Sequence, residues 1–200
     1  MRTFYELPRH AVTTMAYAGI GNRDIEGIRD PGSGKPLHSV MRWVAGELER
    51  LGYVLHSGGA KGSDQAFESG VVSPAHKRIF LASDATDETR AIARELHPLK
   101  ERLSGYALDL FARNTNQVFG TGLDMVVDFV LCYTRDGCDS FLDRTRETGG
   151  TGQAIEMATR KGAACFNMKN DGWLDQLNSY LKFTGIVAEG SELRIPGDLT

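Results

Sequence analysis

Three stretches of this chain gather glycines with side chains able to hold an anion: "GIGNRD" (19–24), "SGGAKGSD" (57–64) and "GGTGQAIE" (149–156). Each glycine costs backbone entropy on folding, so clusters of them call for a reason. Without a Cβ the backbone can approach a ligand closely, and free N–H groups at a helix start attract phosphate. The ligand-binding candidates are therefore Gly19, Gly21, Asn22 and Arg23 in the first loop, and Ser57, Gly58, Gly59, Lys61 and Asp64 in the second. Gly149, Gly150, Thr151 and Gly152 form the third set. Taken singly, each loop reads equally as a tight strand-to-helix turn. "GGAKGSD" lacks the GxxxxGK[ST] spacing of a nucleotide P-loop, and "GIGNRD" lacks the third glycine of GxGxxG. Convergence of all three on one sheet edge would favour a nucleotide-like small molecule.

That convergence depends on the elements that carry the loops. "MAYAG" (15–19), "YVLHS" (53–57), "RIFLA" (78–82), "VVDFVLCYT" (126–134) and "ACFNM" (164–168) read as buried strands, being short, apolar and bounded by turn residues. Between them lie helical patterns. Leu37, Val40, Met41, Val44, Leu48 and Leu51 recur at three- and four-residue steps before Gly52. A helix is expected to start near Thr86 and stop before Pro98, another to run over 104–112, another over 152–161, and a last one to follow Asp171. Strands alternating with helices imply an α/β fold: a single Rossmann-like domain over 1–200, with a mostly parallel sheet flanked by helices on both faces. Its core would span about 15–183, leaving 184–200 as a turn-rich appendage or a short extra strand. Ligands of such sheets sit beyond the carboxyl ends of the strands.

Composition narrows the function classes. A net charge of −3 gives no global field for nucleic acid, although a local basic pocket is compatible with it. Cys132, Cys138 and Cys165 have neither metal-type spacing nor an even count for disulfides, which fits a reducing cytoplasm. The five histidines are scattered, so no metal is expected, and no cofactor either. No apolar run approaches the ~20 residues that span a bilayer, so no membrane partner is expected.

The loops resemble a known superfamily. "LGYVLHSGGAKGSDQAF" after "AYAGIGNRD", with "FARNTNQVFGTG" (111–122), is similar to the Rossmann-like core of the DNA-processing DprA/Smf family. "GGTGQAIE" resembles the PGGxGTxxE signature of the LOG-type, lysine-decarboxylase-like phosphoribohydrolases. Both belong to the SLOG superfamily, and the resemblance covers roughly 15–168. It implies a catalytic pair at Arg113 and Glu156, cleaving the N-glycosidic bond of a nucleoside 5′-monophosphate. The glycines of the third loop would hold the phosphate, and Glu156 would face the sugar. Departures are Gln153 in place of threonine, Thr148 in place of proline, and a long charged span, "RDGCDSFLDRTRET", readable as a lid or a partner surface. The resemblance also permits single-stranded DNA as ligand, or a non-catalytic sensor of an ADP-ribose-type signal, and implies a homo-oligomer.

Plainer readings stand beside these. Glu156 suits a helix N-terminus by charge alone, and Arg113 suits a helix end. Asn114 and Asn116 either terminate that helix or read a base edge. Asp64 is explained by helix capping, Arg23 and Asp24 by an internal ion pair, and Asp128 by polar satisfaction at a strand end.

Overall fold

The computed structural model describes residues 1–10, 13–97, 101 and 103–200. Five strands form one all-parallel sheet: β1 (Ala16–Gly21), β2 (Val54–Ser57), β3 (Lys77–Ile79), β4 (Phe129–Tyr133) and β5 (Ala164–Asn167), in the order β3-β2-β1-β4-β5. The central strands β1 and β4 pair from Tyr17↔Phe129 to Gly21↔Tyr133 and are buried along nearly their whole length. Unbroken apolar strands of this kind are what a sheet covered on both faces requires.

Helices α1 (Leu37–Arg50), α2 (Ser63–Glu68) and α6 (Trp173–Phe183) cover one face. α3 (Asp87–Leu96), α4 (Gly105–Phe119) and α5 (Thr151–Arg160) cover the other. On α1, Leu37, Val40, Met41, Val44 and Leu48 are fully buried, and each such side chain contributes about 1.5–3 kcal/mol. Thr86 caps α3, its hydroxyl accepting from Thr89 N at 3.2 Å. That helix ends at Leu96; the expected stop at Pro98 lies outside the described residues. The fold is thus a Rossmann-like α/β architecture.

Two elements differ from expectation. α4 continues past Ala112 to Phe119, because its second half is wedged between α3, α5 and the sheet, where packing outweighs the weak helix propensity of "RNTN". It stops at Gly120, whose φ of 70° ends the run. The tail forms no strand. Leu193 instead exchanges two hydrogen bonds with the Asn178 side chain, 2.8 and 3.1 Å, and Ile195 and Leu199 pack on the α1/α6 face. No helix among the described residues is long and apolar enough to cross a membrane.

The order β3-β2-β1-β4-β5 puts a topological switch point between β1 and β4. Chain leaving β1 goes to one face and chain leaving β4 to the other, which opens a crevice at their carboxyl ends. Asp128 sits at the opposite, amino edge, where its buried carboxylate accepts from Thr14 N (2.6 Å), Thr14 Oγ1 (2.9 Å) and Met15 N (3.1 Å). It is a structural residue there.

Candidate functional site

A cavity of about 510 Å³ fills the switch-point crevice. Its walls are the end of β1 with the following Ile20–Asp24 stretch, the start of α2 at Asp64, one face of α4, and the Gly150–Thr151 turn that opens α5. Leu110, Arg113, Asn114 and Gln117 share that face of α4 because they recur at three- and four-residue steps.

Asp64 and Arg113 meet on the floor, 3.5 Å apart, with side chains only 4% and 9% exposed. Burial pushes the Asp64 carboxyl up to about 6, against the pull of Arg113 and of the Ala60 and Gly58 N–H groups. Those amides donate to Asp64 Oδ2 at 3.3 and 3.2 Å. Arg113 Nη1 also donates to Gln117 Oε1 at 3.4 Å. Arg113 Nε and Gln117 Nε2 are buried donors with no acceptor among the described residues. Behind them His56 donates from Nδ1 to Gln117 O at 3.0 Å, and burial holds it neutral, its pKa lowered to about 4.

The second glycine loop is therefore not a free phosphate cradle. Its backbone N–H groups are taken by the chain's own acids: Gly58 and Ala60 by Asp64, Gly59 by Glu68 at 3.1 Å, with Ser57 Oγ also donating to Glu68 at 2.6 Å. Asp64 lines the cavity floor, beyond any capping role. Gly58 is required for another reason, since a Cβ there would coincide with the Arg113 guanidinium. Lys61 is exposed and borders a second cavity beside the first.

The first loop splits between packing and lining. Gly19 makes room for α2, because a Cβ on it would lie 2.6 Å from Leu55 Cδ1 and 3.0 Å from Phe67 Cγ. Gly21 lets β1 close on Tyr133 O, which a Cβ would approach to 2.7 Å. Asn22 donates its N–H to Tyr133 O at 3.0 Å and accepts from Ser63 N at 3.1 Å, so backbone bonds shape this rim. Arg23 lines the cavity, while Asp24 pairs loosely with Arg135, 3.6 Å apart and both well exposed. No helix starts here, because α1 begins only at Leu37.

The third loop is closest to its expected form. Gly149, at φ 65°, turns the chain into α5, and Gly150 and Thr151 face the cavity. Asn114 Nδ2 reaches across to donate to Gly150 O at 3.3 Å. Gly152 instead faces Arg144, whose Nε would lie 2.8 Å from a Cβ.

Glu156 does not join Arg113 at the cavity. Thr151 and Ala154 are the α5 residues that face it, and two residues beyond Ala154 the helix has turned by about 200°. The Glu156 carboxylate is held there by Arg144 Nη1 (2.5 Å) and Arg160 Nε (2.9 Å). The charged span before α5 is tied at Asp136, Thr145 and Thr148 by hydrogen bonds, while Leu142 and Thr145–Glu147 are exposed. Burial opposes ionisation of Asp136, but hydrogen bonds from the Thr145, Thr148 and Thr134 hydroxyls and the Cys138 N–H together outweigh it and hold that carboxyl at about 2. We expect Glu156→Gln to leave ligand affinity unchanged while speeding amide exchange over 135–148. Weaker binding with unaltered exchange would show that the glutamate serves the cavity after all.

Several cavity-lining residues lay outside the expected set, among them Gln117, Phe111, Arg135 and Glu147. Gln117 was reachable from its i+4 spacing to Arg113 had the helix been extended; Arg135 stands two residues past β4 as Arg23 stands two past β1. No group of three or more His, Cys, Asp or Glu side chains among the described residues could hold a metal ion. No family model, curated protein or solved structure matches this chain.

Proposed function

We propose that the switch-point cleft binds a nucleotide or nucleotide derivative, with a phosphate between Arg113 and the Gly150–Thr151 turn. The observation that carries this reading is the Arg113 side chain, buried at the cleft wall with Nε lacking an acceptor, beside an equally unpartnered Gln117 Nε2. A buried donor without a partner costs ~1–3 kcal/mol, and an anionic ligand with several acceptor oxygens would relieve it. The likeness of the three loops to the SLOG superfamily supports the same reading.

Thermal-shift measurements with nucleoside monophosphates, ADP-ribose and oligo-dT test it. A ligand at about a hundred times its dissociation constant adds ~2.7 kcal/mol of stability, a readily visible shift. No shift with any of them would end the proposal.

Asp64 favours N-glycosidic hydrolysis as a second reading. A carboxyl at about 6 keeps a protonated fraction near neutral pH and is suited to protonate a leaving base. In that reaction Asp64 gives its proton to the base nitrogen as the C1′–N bond breaks and its electron pair leaves with the base. Water adds at C1′ and its proton returns to Asp64, giving free base and ribose 5-phosphate. Asp64→Asn is then expected to cut base release by about 10²–10⁴-fold with binding retained. Base release undiminished in Asp64→Asn, or absent from the parent protein, would refute hydrolysis by this route.

A further inference from the structure

The first cavity continues into a second one of about 870 Å³, and the two share Arg23, Ala60, Leu110 and Arg113 as a saddle. Their linings differ in charge. The first carries Asp24, Asp64 and Glu147 along with arginines, a mixture suited to sugar hydroxyls, for which carboxylates are acceptors. The second carries Arg23, Lys61 and Arg113 and no carboxylate.

The second chamber also has an apolar, aromatic side. Tyr106 is 70% exposed and Leu81 51% exposed, where side chains of their kind usually find cover. Tyr106 precedes Leu110 by one helical turn, so a single stripe of α4 runs from the ring, over the saddle, to Arg113. The Gly58–Gly59 backbone lines the same chamber, with Leu81 Cδ2 3.7 Å from where a Gly59 Cβ would stand. Glycine backbone, an exposed phenol ring and a leucine in one chamber offer a surface on which a planar ring can stack, and the three cations there call for an anion attached to that ring.

We infer that the two chambers form one site whose ligand is two nucleosides joined through phosphate, with the link on the Arg113–Arg23 saddle and the second base against Tyr106. The inference rests on the nucleotide reading of the first chamber and specifies its ligand class. Such a ligand has two sources, a free dinucleotide or a segment of single-stranded DNA. The same chambers accept either.

Titration calorimetry on the full chain decides it. Probes are the four common nucleoside 5′-monophosphates, their symmetric 5′,5′-linked dinucleoside diphosphates, and oligo-dT of about ten nucleotides, within the ~4–16-nucleotide span of single-strand sites. The best two-nucleoside probe is expected to bind roughly five- to a hundredfold tighter than its monophosphate, the worth of one stacked base. Tyr106→Ala, at an exposed position, should erase that gain and leave monophosphate affinity unchanged. Oligo-dT binding tighter than every dinucleotide assigns the source to a DNA strand, and parity or weaker binding assigns it to a free dinucleotide. Equal affinity for monophosphates and two-nucleoside probes, or a gain that survives Tyr106→Ala, overturns the two-chamber site while leaving the nucleotide reading intact. No binding by any probe overturns both.

Discussion

Replacing Arg113 with methionine is expected to lower stability by about 2–3 kcal/mol near pH ~8, and by far less near pH ~5. Methionine keeps much of the side-chain length, so the change is chiefly one of charge. Asp64 is 4% exposed and Arg113, at 3.5 Å, is the cation it faces; Arg23 lines the same cavity, and Glu68 on α2 adds a like charge. Above pH ~6 the Asp64 carboxylate is ionised, and without Arg113 it would be a buried charge lacking its partner. Below that pH it takes up a proton and needs none.

The direction follows from the raised pKa. Because the folded state holds the Asp64 proton more tightly than the unfolded chain, this group favours folding most below its ordinary 3.8. That contribution falls as pH rises toward about 6, with a limiting slope of about 1.4 kcal/mol per pH unit. Removing Arg113 removes a force that lowers the pKa, so in the variant the decline continues to higher pH. Urea unfolding of both proteins across this range reads it directly. A loss independent of pH would mean that Arg113 supports the fold through something other than Asp64. Adding Asp64→Asn to the methionine variant should recover most of the loss.

The sheet was legible in the sequence because its central strands are buried on both faces and so read as unbroken apolar runs. "VLCY" in β4 admits hardly any other interpretation. Helix α1 was legible from its single apolar stripe. The second half of α4 was not, since "RNTNQ" has neither an apolar stripe nor strong helix propensity and is helical only because α3, α5 and the sheet enclose it. That one boundary hid the site. An arginine at a helix end is a surface residue, whereas the same arginine six residues before Phe119 lies in the wall of a cleft.

Glu156 shows the complementary difficulty. Its distance from the glycines was visible, but the direction it faces depends on how α5 is rolled on the sheet. Gly152 leaves room for Arg144 beside α5, where it reaches Glu156, while Arg160 stands one turn on along the same helix. Asp64 was among the candidates, but its place on the cavity floor was not legible. Its place at the start of a helix suggested a cap, yet the loop before it curls back and offers the Gly58 and Ala60 amides. An acid that collects donors from a preceding glycine loop satisfies the same anion-binding geometry that a phosphate would.

Near pH ~5, where Asp64 holds its proton, Gly58→Ala is expected to weaken ligand binding roughly 10–150-fold, the worth of a charged hydrogen bond, with only a small change in stability. The backbone at Gly58 lies outside the left-handed region, so alanine fits the chain there. What its methyl group would strike is the Arg113 guanidinium, the movable end of a long side chain. Arg113 should therefore yield, swinging off the floor and away from the saddle between the chambers, while Asp64, protonated at this pH, does not need the displaced cation. Gly59→Ala supplies the contrast. Gly59 has φ 67°, so alanine there strains the backbone by roughly 1–2 kcal/mol, but its methyl group would meet Ile79 and leave Arg113 in place. One glycine should thus cost mainly affinity and its neighbour mainly stability. Calorimetry paired with urea unfolding separates the two, and the Arg113 Nε–H resonance should move only in Gly58→Ala. If Gly58→Ala binds nucleotide as tightly as the parent protein, Arg113 is not the anchor of the ligand.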